Sequence, residues 1–501
     1  MRAVDDKRPS PSIPDRLNLA SHVLWAAGAP DDKVALVLLR ATGAERWSYG
    51  RLREAVMRTA GGLLAAGLAP GARVLMRIGN TPDFPVTYLG AIAAGLVAVP
   101  TAAALGAEEI TKVARVLSPD AIVSDGTVPM PDHDAPVLSP AAFSRAEPLE
   151  RPAETGANDP AYIVFTSGTS GTPSGVVHAH RAILARGLMT DGWYGLTPSD
   201  RVLHAGAFSW TFTLGTGLMD PWAAGATALV LAPGTGPEMI PLLAQRHEAT
   251  MIAGAPGVFR RLLKSGMPAL PRLRHGLVAG EKLPETVRTA WRDATGTELH
   301  EAFGQSEIST FISGSPARPA PEGTLGYTQG GRCVAILSED GTPAERGEDG
   351  AIAIHGSDPG LMLGTLDGPL AERLTGEWFT TGDRGLMRED GAIEYHGRTD
   401  DILTAGGFRV SPIEVEAAMQ RHPGIEEAAA VDCHVTPETT VIAVHYTGPA
   451  ALPEADLTAH AEAHLARYKQ PRLFVHAQSL PRNANGKLLR RSLPPANETA
   501  P

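Results

Sequence analysis

The chain has 501 residues, with 44 Lys and Arg against 55 Asp and Glu, which gives a formal net charge of −11. Its 43% hydrophobic and 20% charged residues are typical of a soluble globular protein of about two to four domains and exclude a disordered or fibrous chain. The acidic balance argues against a nucleic-acid-binding protein, which needs a face rich in Lys and Arg. Cys333 and Cys433 are too few for a disulfide framework or a cysteine-based metal site.

Two segments bear on where the protein resides. Residues 1–12 contain acids and prolines and lack an apolar h-region, so we expect no signal peptide and a cytoplasmic protein. From Val86 to Ala107 the chain is uncharged and about long enough to cross a membrane. Gly95, Pro100 and the strand-like VAVP favour a buried helix followed by a buried strand instead. We therefore predict no membrane span.

Helix and strand patterns alternate along much of the chain, which predicts parallel sheets covered by helices. In the first series, the predicted helices are 48–67 and 107–117, and the predicted strands are 73–78 and 121–125. A second series begins at Met219, with predicted strands at 227–231, 250–256, 275–280 and 298–304 and a helix at 284–296.

The pattern changes between Gly323 and Gly397, where short β runs and EDG turns predict a small antiparallel or barrel-like part. Further on, Ser411 followed by Pro412 and Glu414 predicts a helix start. The predicted fold class is α/β. It consists of a large N-terminal domain, 1–397, with two parallel-rich βα-layered sheets and the barrel-like part, and a small mobile α+β C-terminal domain, 398–501.

The strongest local signal runs from Tyr162 to Val176, where a buried strand leads into a loop of Gly, Ser and Thr and then, we expect, into a helix near His180. Small residues let backbone N–H groups approach phosphate oxygens, and hydroxyls add donors without bulk. The loop is not a Walker A motif, because GxxxxGK[ST] is absent. Taken alone, such a loop is more often only a turn.

Four further blocks follow in a fixed order. They are HEAFGQSE (His300–Glu307), WFTTGDRG (Trp378–Gly385), YHGRTDDILTAGGFRVSPIEVE (Tyr395–Glu416) and LPRNANGKLLR (Leu480–Arg490). Together with the loop, these blocks resemble the adenylate-forming superfamily of acyl- and aryl-CoA ligases, luciferases and peptide-synthetase adenylation domains. The resemblance extends over nearly the whole chain.

The resemblance implies a nucleotide site. Its phosphate loop would include Thr166, Ser167, Gly168, Thr169, Ser170 and Gly171, and its adenine side Gly280, Glu281, Lys282, Phe303, Gly304 and Gln305. It implies that Ser306 lies near the α-phosphate and that Glu307 holds Mg²⁺. Asp383 would bind the ribose hydroxyls with help from Arg398. Considered singly, Asp383 would be interpreted as a turn-capping residue and Arg398 as one partner of a surface ion pair.

The resemblance also implies that the C-terminal domain is mobile and contributes residues to both half-reactions. By resemblance, Lys487 is the catalytic lysine, whose charge can bridge carboxylate and α-phosphate. Asp400 matches a hinge between two half-reactions, Arg409 a phosphate contact, and Gly407 a glycine of the pantetheine tunnel. Because Lys487 lies in an expected exposed loop, a lysine acetyltransferase acting on it is a candidate partner.

One position departs from the family pattern. The loop usually reads TGxPKG, whereas here it reads SGTPSG, with Ser174 in place of lysine. The missing charge should weaken binding on the pyrophosphate side unless Arg409 or another cation compensates.

The acid substrate is indicated by three features. Ser209 stands where amino-acid-activating relatives carry an Asp, and a buried ammonium without a carboxylate would be costly. The stretch around Trp210 resembles the benzoate and aminobenzoate ligases, which favours an aromatic or medium-sized acid. The predicted pocket residues are Phe208, Trp210, Ala255 and Gly304, where the absent side chain of Gly304 would leave room for a ring. The alternatives are that Phe208 and Trp210 are core aromatics and that Gly304 serves only a turn.

The function implied is a two-step acid–CoA ligase that uses ATP, Mg²⁺ and coenzyme A. A first alternative is an acyl-AMP ligase that loads a carrier protein, and a second is a nucleotide-binding pseudoenzyme suggested only by Ser174. The partners expected are a small carboxylic acid and CoA, with a homodimer left open.

Overall fold

The computed structural model describes residues 1–167, 173–399, 403–405, 408–436, 439–482, 488–494 and 496. Within these ranges the α-helices are α1 Leu19–Trp25, α2 Tyr49–Ala65, α3 Asp83–Ala93, α4 Ala107–Leu117, α5 Pro140–Phe143, α6 Ala182–Gly187, α7 Asp220–Ala223, α8 Ile240–Arg246, α9 Pro256–Ser265, α10 Glu285–Thr295, α11 Pro412–Met419 and α12 Glu454–His464. Segments of π-helix lie at Thr190–Tyr194 and Thr213–Met219, and 3₁₀-helices at Pro237–Met239, Leu370–Arg373, Arg467–Lys469 and Arg490–Ser492.

The strands of the same ranges form four sheets. They are β1 Val4–Asp6, β2 Val34–Leu39, β3 Ala44–Ser48, β4 Arg73–Arg77, β5 Val97–Pro100, β6 Ala121–Ser124, β7 Val137–Leu138, β8 Pro160–Ser167, β9 Pro173–Ala179, β10 Arg201–His204, β11 Thr227–Leu231, β12 Met251–Gly254, β13 His275–Ala279, β14 Glu298–Gln305, β15 Ser309–Ser313, β16 Thr324–Thr328, β17 Cys333–Leu337, β18 Gly350–His355, β19 Gly364–Thr365, β20 Gly368–Pro369, β21 Leu374–Thr375, β22 Trp378–Met387, β23 Ile393–Arg398, β24 Leu403–Ala405, β25 Phe408–Val410, β26 Glu427–Thr436, β27 Thr439–Thr447 and β28 Leu473–His476.

The larger sheet contains a parallel half and an antiparallel half. Strands β2, β11, β10, β12, β13 and β14 lie side by side in parallel. From β14 the sheet continues through antiparallel pairs in the order β15, β16, β23, β22, β18, β17 and β1. The antiparallel part predicted between Gly323 and Gly397 is therefore present. It is hydrogen-bonded to the parallel half through β15 and β16.

The second sheet follows the order β20, β19, β9, β8, β5, β4, β6 and β7, and its β8 to β7 portion is parallel. The helix predicted near His180 is present as α6, which begins at Ala182. Strand β9, which lies between the loop and α6 and pairs antiparallel with β8, was not predicted. Ser167 and Pro173, the described residues on either side of 168–172, thus pair with each other in neighbouring strands.

The uncharged stretch from Val86 to Ala107 is buried as far as Thr101, apart from the half-buried Gly95, whereas Ala104 and Ala107 are exposed. It covers the fully buried end of α3 and strand β5, and Gly95 between them has φ +73°, a conformation that stops the helix. In the part of the chain that the structure describes, no helix combines the length and apolar character needed to cross a membrane.

The small C-terminal part has its own core. Strands β26, β27 and β28 form a sheet against which α11 and α12 pack, with Val415, Ile442, Val444 and Leu457 buried in one apolar cluster. The predicted helix start is confirmed, because the Ser411 hydroxyl accepts from the backbone N–H of Glu414 at 3.4 Å. The α/β class with a large N-terminal and a small α+β C-terminal part is confirmed. By its pairing, Arg398 ends β23 and belongs to the larger part.

Candidate active site

The loops that follow four neighbouring parallel strands all lie at one edge of the larger sheet. Strands β10, β12, β13 and β14 are adjacent in the order β14, β13, β12, β10. The segments at their carboxyl ends carry Trp210, Ala255, Glu281 and Gln305. In open α/β sheets, ligands bind in the crevice outside the carboxyl ends of such strands. The sheet direction therefore explains why residues distant in sequence meet here.

A cleft of about 690 Å³ lies between this edge and the small C-terminal part. It is lined by many of the residues predicted for the nucleotide, namely Gly280, Glu281, Lys282, Phe303, Gly304, Gln305, Asp383 and Arg398. The opposite wall comes from the C-terminal part and includes Leu488 and Arg490. The structure thus brings these predicted side chains together in one cavity.

Asp383 and Arg398 face each other across strands β22 and β23. The Arg398 guanidinium lies 3.6 Å from the Asp383 carboxylate and donates to the carbonyl of Thr381 at 3.1 Å. The Tyr395 hydroxyl donates to Asp383 at 3.1 Å, and burial together with this carboxylate raises the pKa of Tyr395 well above its usual value. Asp383 is only 5% exposed, so its orientation is fixed by these donors.

Tyr395 was not singled out from the sequence. It stands twelve residues from Asp383, and only the pairing of β22 with β23 brings the two together. The Tyr395 ring also lies 5.5 Å from the ring of Phe303, which in turn contacts Phe311 at 5.4 Å. Phe303 is half-buried and borders the cleft, so part of its ring surface is available to a planar ligand.

The backbone at Ser306 and Glu307 is held on both sides. His178 Nε2 lies 2.7 Å from the carbonyl oxygen of Ser306, and the backbone N–H of Met362 donates to the carbonyl of Glu307 at 2.8 Å. Burial lowers the pKa of His178 to about 4, so this imidazole is neutral near pH 7 and donates from Nε2. Burial raises the pKa of the Glu307 carboxyl. His178, like Tyr395, was missed from the sequence.

Glu281 and Lys282 both form hydrogen bonds with other residues of the protein. Lys282 Nζ lies 3.1 Å from the Glu301 carboxylate and donates to the carbonyl of Thr324 at 2.9 Å. One oxygen of Glu281 accepts from Arg482 at 3.0 Å and from the backbone N–H of Leu488 at 2.9 Å. The adenine-edge segment is therefore also a contact between the two parts of the chain.

A second cavity of about 570 Å³ lies beside the cleft. Trp210 and Ala255, two of the predicted pocket residues, line it, and Glu281 lines both cavities. Gly280 has φ +98°, and a Cβ built there would lie 3.1 Å from the Trp210 ring. Glycine is thus required at position 280 by its backbone conformation and by the approach of the indole.

Phe208 does not line the acid pocket, which corrects the sequence prediction. Its side chain is 0% exposed and belongs to the apolar core, where it stacks on Phe84 with ring centroids 6.3 Å apart. The backbone N–H of Phe208 donates to the side chain of Asn80 at 2.7 Å. Phe208 anchors the segment that presents Trp210.

The prediction that Gly304 leaves room for a substrate ring is also wrong. A Cβ at position 304 would overlap the carbonyl oxygen of Ser309 and lie 2.5 Å from the Cα of Thr310. The register between β14 and β15 shifts at this point, which brings the two backbones together. The space beside Gly304 is filled by β15, so glycine is required for close packing of the hairpin.

Several predicted residues fall outside the described part of the chain: Gly168, Thr169, Ser170, Gly171, Asp400, Gly407 and Lys487. Ser167 ends β8 and Arg409 lies in β25, and the side chains of both are also outside the description. Thr166 pairs with Ser174 across the β8–β9 hairpin, at the base of the loop. The serine that replaces the usual lysine thus stands directly opposite the first loop residue.

Gly304→Ala should lower the melting temperature, because the new methyl group meets backbone atoms of β15 that cannot rotate away. We expect a loss of about 1–3 kcal/mol in the free energy of unfolding, measured by denaturant titration. Gly187→Ala is the matched control, because Gly187 is helical and a Cβ there meets nothing within 4 Å. Equal stability of the two variants would contradict this assignment.

Comparison with known proteins agrees with this geometry. A family model described as AMP-binding enzyme matches residues 24–366, and one described as AMP-binding enzyme C-terminal domain matches residues 414–487. The chain is 30% identical to a benzoate–CoA ligase of Thauera aromatica, over 96% of each chain. It is 29% identical to the mitochondrial acyl-coenzyme A synthetase ACSM2A of Homo sapiens, over 96% of this chain and 91% of that one.

Solved structures also resemble this chain over nearly its whole length. A benzoate CoA ligase from Burkholderia xenovorans superposes with a TM-score of 0.83 at 26% identity, covering 95% of this chain and 99% of the other. ATP-bound MatB from Rhodopseudomonas palustris superposes with a TM-score of 0.85 at 25% identity, covering 95% and 97%. Because the family models match both the larger and the smaller part of the sequence, the chain belongs to the AMP-binding enzyme family.

Proposed function

We propose that this protein is an ATP-dependent carboxylic acid–CoA ligase. It forms an acyl-adenylate and pyrophosphate, and then an acyl-CoA thioester and AMP. The observation that carries the proposal is the cleft in which the Asp383–Arg398 pair, Phe303 and the backbone of Leu488 from the C-terminal part come together. Similarity to benzoate–CoA ligase and acyl-coenzyme A synthetase along 96% of the chain supports it.

The nucleoside of ATP would occupy this cleft. The fixed Asp383 carboxylate accepts hydrogen bonds from the ribose hydroxyls, and Arg398 holds that carboxylate in place. Phe303 offers its half-buried ring to adenine, beside Gly280 and Gln305. The polyphosphate extends toward residues 166–175, where small residues leave backbone N–H groups accessible.

In the first step, a carboxylate oxygen of the acid attacks the α-phosphorus, and the bond to the pyrophosphate oxygen breaks. The protein needs to hold the two anions together and to stabilise the charge that builds on the α-phosphate oxygens. Lys487 supplies the positive charge and Ser306 a hydroxyl near the same phosphate. His178 fixes the backbone of Ser306 by its 2.7 Å contact with the carbonyl.

Glu307 would hold Mg²⁺. Mg²⁺ binds through one or two carboxylates together with substrate phosphates, and a half-buried carboxylate next to the cleft fits that requirement. When bound, the ion would neutralise phosphate charge. Among the described residues, no group of three or more His, Cys, Asp and Glu side chains forms a metal site by itself, which agrees with a metal carried in with the nucleotide.

In the second step, the CoA thiol attacks the acyl carbonyl carbon, and AMP leaves with the bond between that carbon and the phosphate oxygen broken. We propose that the chain divides into domains close to the predicted boundary of 1–397 and 398–501, with Arg398 still in the larger domain, and that the smaller domain turns about Asp400 between the steps. Gly407 would then line the pantetheine path, and Arg409 would contact phosphate in place of the missing lysine at Ser174.

The acid would be aromatic or medium-sized. The cavity lined by Trp210 and Ala255 adjoins the nucleotide cleft through Glu281, so an acid bound there can reach the α-phosphate. Position 209 is Ser rather than Asp, so no carboxylate stands there to bind an ammonium group. A homodimer, acetylation of Lys487 and a cytoplasmic location stay predictions from the sequence.

The deciding experiment is a panel of carboxylic acids incubated with ATP and hydroxylamine, repeated with CoA and analysed by mass spectrometry. We expect hydroxamates and CoA thioesters from benzoate-like or medium-chain acids and little product from acetate or amino acids. Hydroxamate without thioester would show that another thiol accepts the acyl group. The absence of pyrophosphate exchange with every acid would contradict ligase activity.

Lys487→Ala should lower the rate of adenylate formation by about a hundredfold to a thousandfold, because a positive charge at the transition state is lost. Thioester formation from synthetic acyl-AMP and CoA should keep its wild-type rate and serves as the internal control. Equal losses in the two half-reactions would show that the lysine has a structural role.

Tyr395→Phe should raise the KM for ATP about fivefold and leave kcat unchanged. The variant keeps the ring beside Phe303 but removes the hydroxyl that donates to Asp383, a hydrogen bond of about 1 kcal/mol. Steady-state kinetics with varied ATP would measure the change. An unaltered KM would mean that Arg398 alone orients the carboxylate.

A further inference from the structure

The residues on either side of 483–487, Arg482 and Leu488, both donate to one carboxylate of the larger domain, and Lys487 precedes Leu488 in the sequence. Glu281 Oε1 accepts from the guanidinium of Arg482 at 3.0 Å and from the backbone N–H of Leu488 at 2.9 Å. Arg482 and Leu488 also form a β-bridge with each other, and the Leu489 N–H donates to the carbonyl of Pro481 at 2.9 Å. Arg482 and Leu488 are thus paired with each other and both hydrogen-bonded to Glu281. We call this pair the hairpin base.

The same contact extends into an ion-pair chain between the two domains. Arg482 also donates to Glu427 at 2.8 Å, and Glu427 pairs with Arg260 of helix α9. Two cations and two carboxylates therefore alternate across the boundary, each domain contributing one of each sign. The side chains of Glu281, Glu427 and Arg482 are 19%, 20% and 27% exposed, so water screens these pairs less than surface ion pairs.

This chain forms the common wall of the two cavities. Arg260, Glu281, Glu427 and Arg482 line both the nucleotide cleft and the cavity that contains Trp210 and Ala255. The proposed acid and nucleotide sites therefore meet at this wall, and Leu488, the residue that follows Lys487, lines the nucleotide side. The orientation of the hairpin base therefore matters for the chemistry and not only for domain contact.

We propose that Glu281 is a positioning residue that places Lys487 for adenylate formation and has no part in thioester formation. The proposal rests on the ligase function given above. Glu281 belongs to the larger domain, whereas Arg482 and Leu488 belong to the smaller one. Rotation of the smaller domain after the first step moves both donors away from Glu281, so the carboxylate acts in one half-reaction only.

The test compares Glu281→Ala, Glu281→Gln and wild type in the two half-reactions measured separately. In Glu281→Ala, kcat for adenylate formation should fall about tenfold to a hundredfold, the range expected when a reacting group is displaced by about an ångström. The KM for ATP should change by less than about twofold, and the rate from synthetic acyl-AMP and CoA should be unchanged. Glu281→Gln should recover part of kcat, because its amide oxygen still accepts from Leu488 N–H.

Glu298→Gln is the matched control. Glu298 pairs with Arg292, and neither residue lines either of the two cavities or contacts the hairpin base. Its variant should leave the ratio of the two half-reaction rates at the wild-type value.

Three results would overturn the proposal, and they differ from failure of the ligase function. A raised KM for ATP with unchanged kcat would make Glu281 a nucleotide-binding residue instead. Parallel losses in both half-reactions would make it a structural residue, and so would a Glu281→Gln variant no better than Glu281→Ala. If the wild-type protein forms no adenylate with any acid, the function itself is wrong, whatever the variants do.

Discussion

Parallel strands share one polarity, so every loop that leaves a carboxyl end emerges at the same edge of the sheet. In this protein the edge belongs to β10, β12, β13 and β14, whose apolar side chains alternate between two buried clusters on the two faces of the sheet. A shift of one residue in register would exchange the side chains packed on the two faces. The positions of Trp210, Ala255, Glu281 and Gln305 relative to one another follow from that constraint.

A group of charged side chains spans the boundary between the two domains. Each domain presents both signs: Arg260 and Glu281 come from the larger domain, and Glu427 and Arg482 from the smaller. A pattern in which signs alternate fits only one relative orientation, because a displaced domain would bring like charges together. Partly buried ion pairs give geometric selectivity with little net stability, which suits a contact that would break if the smaller domain rotates as proposed.

Local patterns in the sequence predicted local structure well. The apolar spacing of α2, the Gly95 junction after α3 and the Ser411 cap depend on residues within a few positions of each other, and all three are present. Features set by strand pairing were not predicted. Residues 173–179 form β9 because β8 offers an open edge, and Tyr395 reaches Asp383 only through the register of β22 and β23.

The two incorrect predictions for the acid pocket, those for Phe208 and Gly304, have the same origin. Phe208 and Trp210 are two residues apart in a segment without regular periodicity, so sequence could not decide which ring enters the core. The direction of the missing Cβ at Gly304 depends on a register shift between two strands, which no spacing of residue types records. The residues assigned by resemblance line one cleft, but resemblance could not give the contacts of Glu281, because these involve residues about 200 positions away.

The contact between Trp210 and Gly280 has an evolutionary consequence. The Trp210 indole of the proposed acid cavity lies against the backbone of the proposed nucleotide cleft, and a side chain at position 280 would be strained, since φ of Gly280 is +98°. Replacement of Trp210 by a smaller residue would therefore open a void beside the segment that carries Glu281. Diversification of the acid range in this lineage is expected to proceed through compensating changes elsewhere in the cavity wall, with acid preference and nucleotide affinity inherited as linked traits.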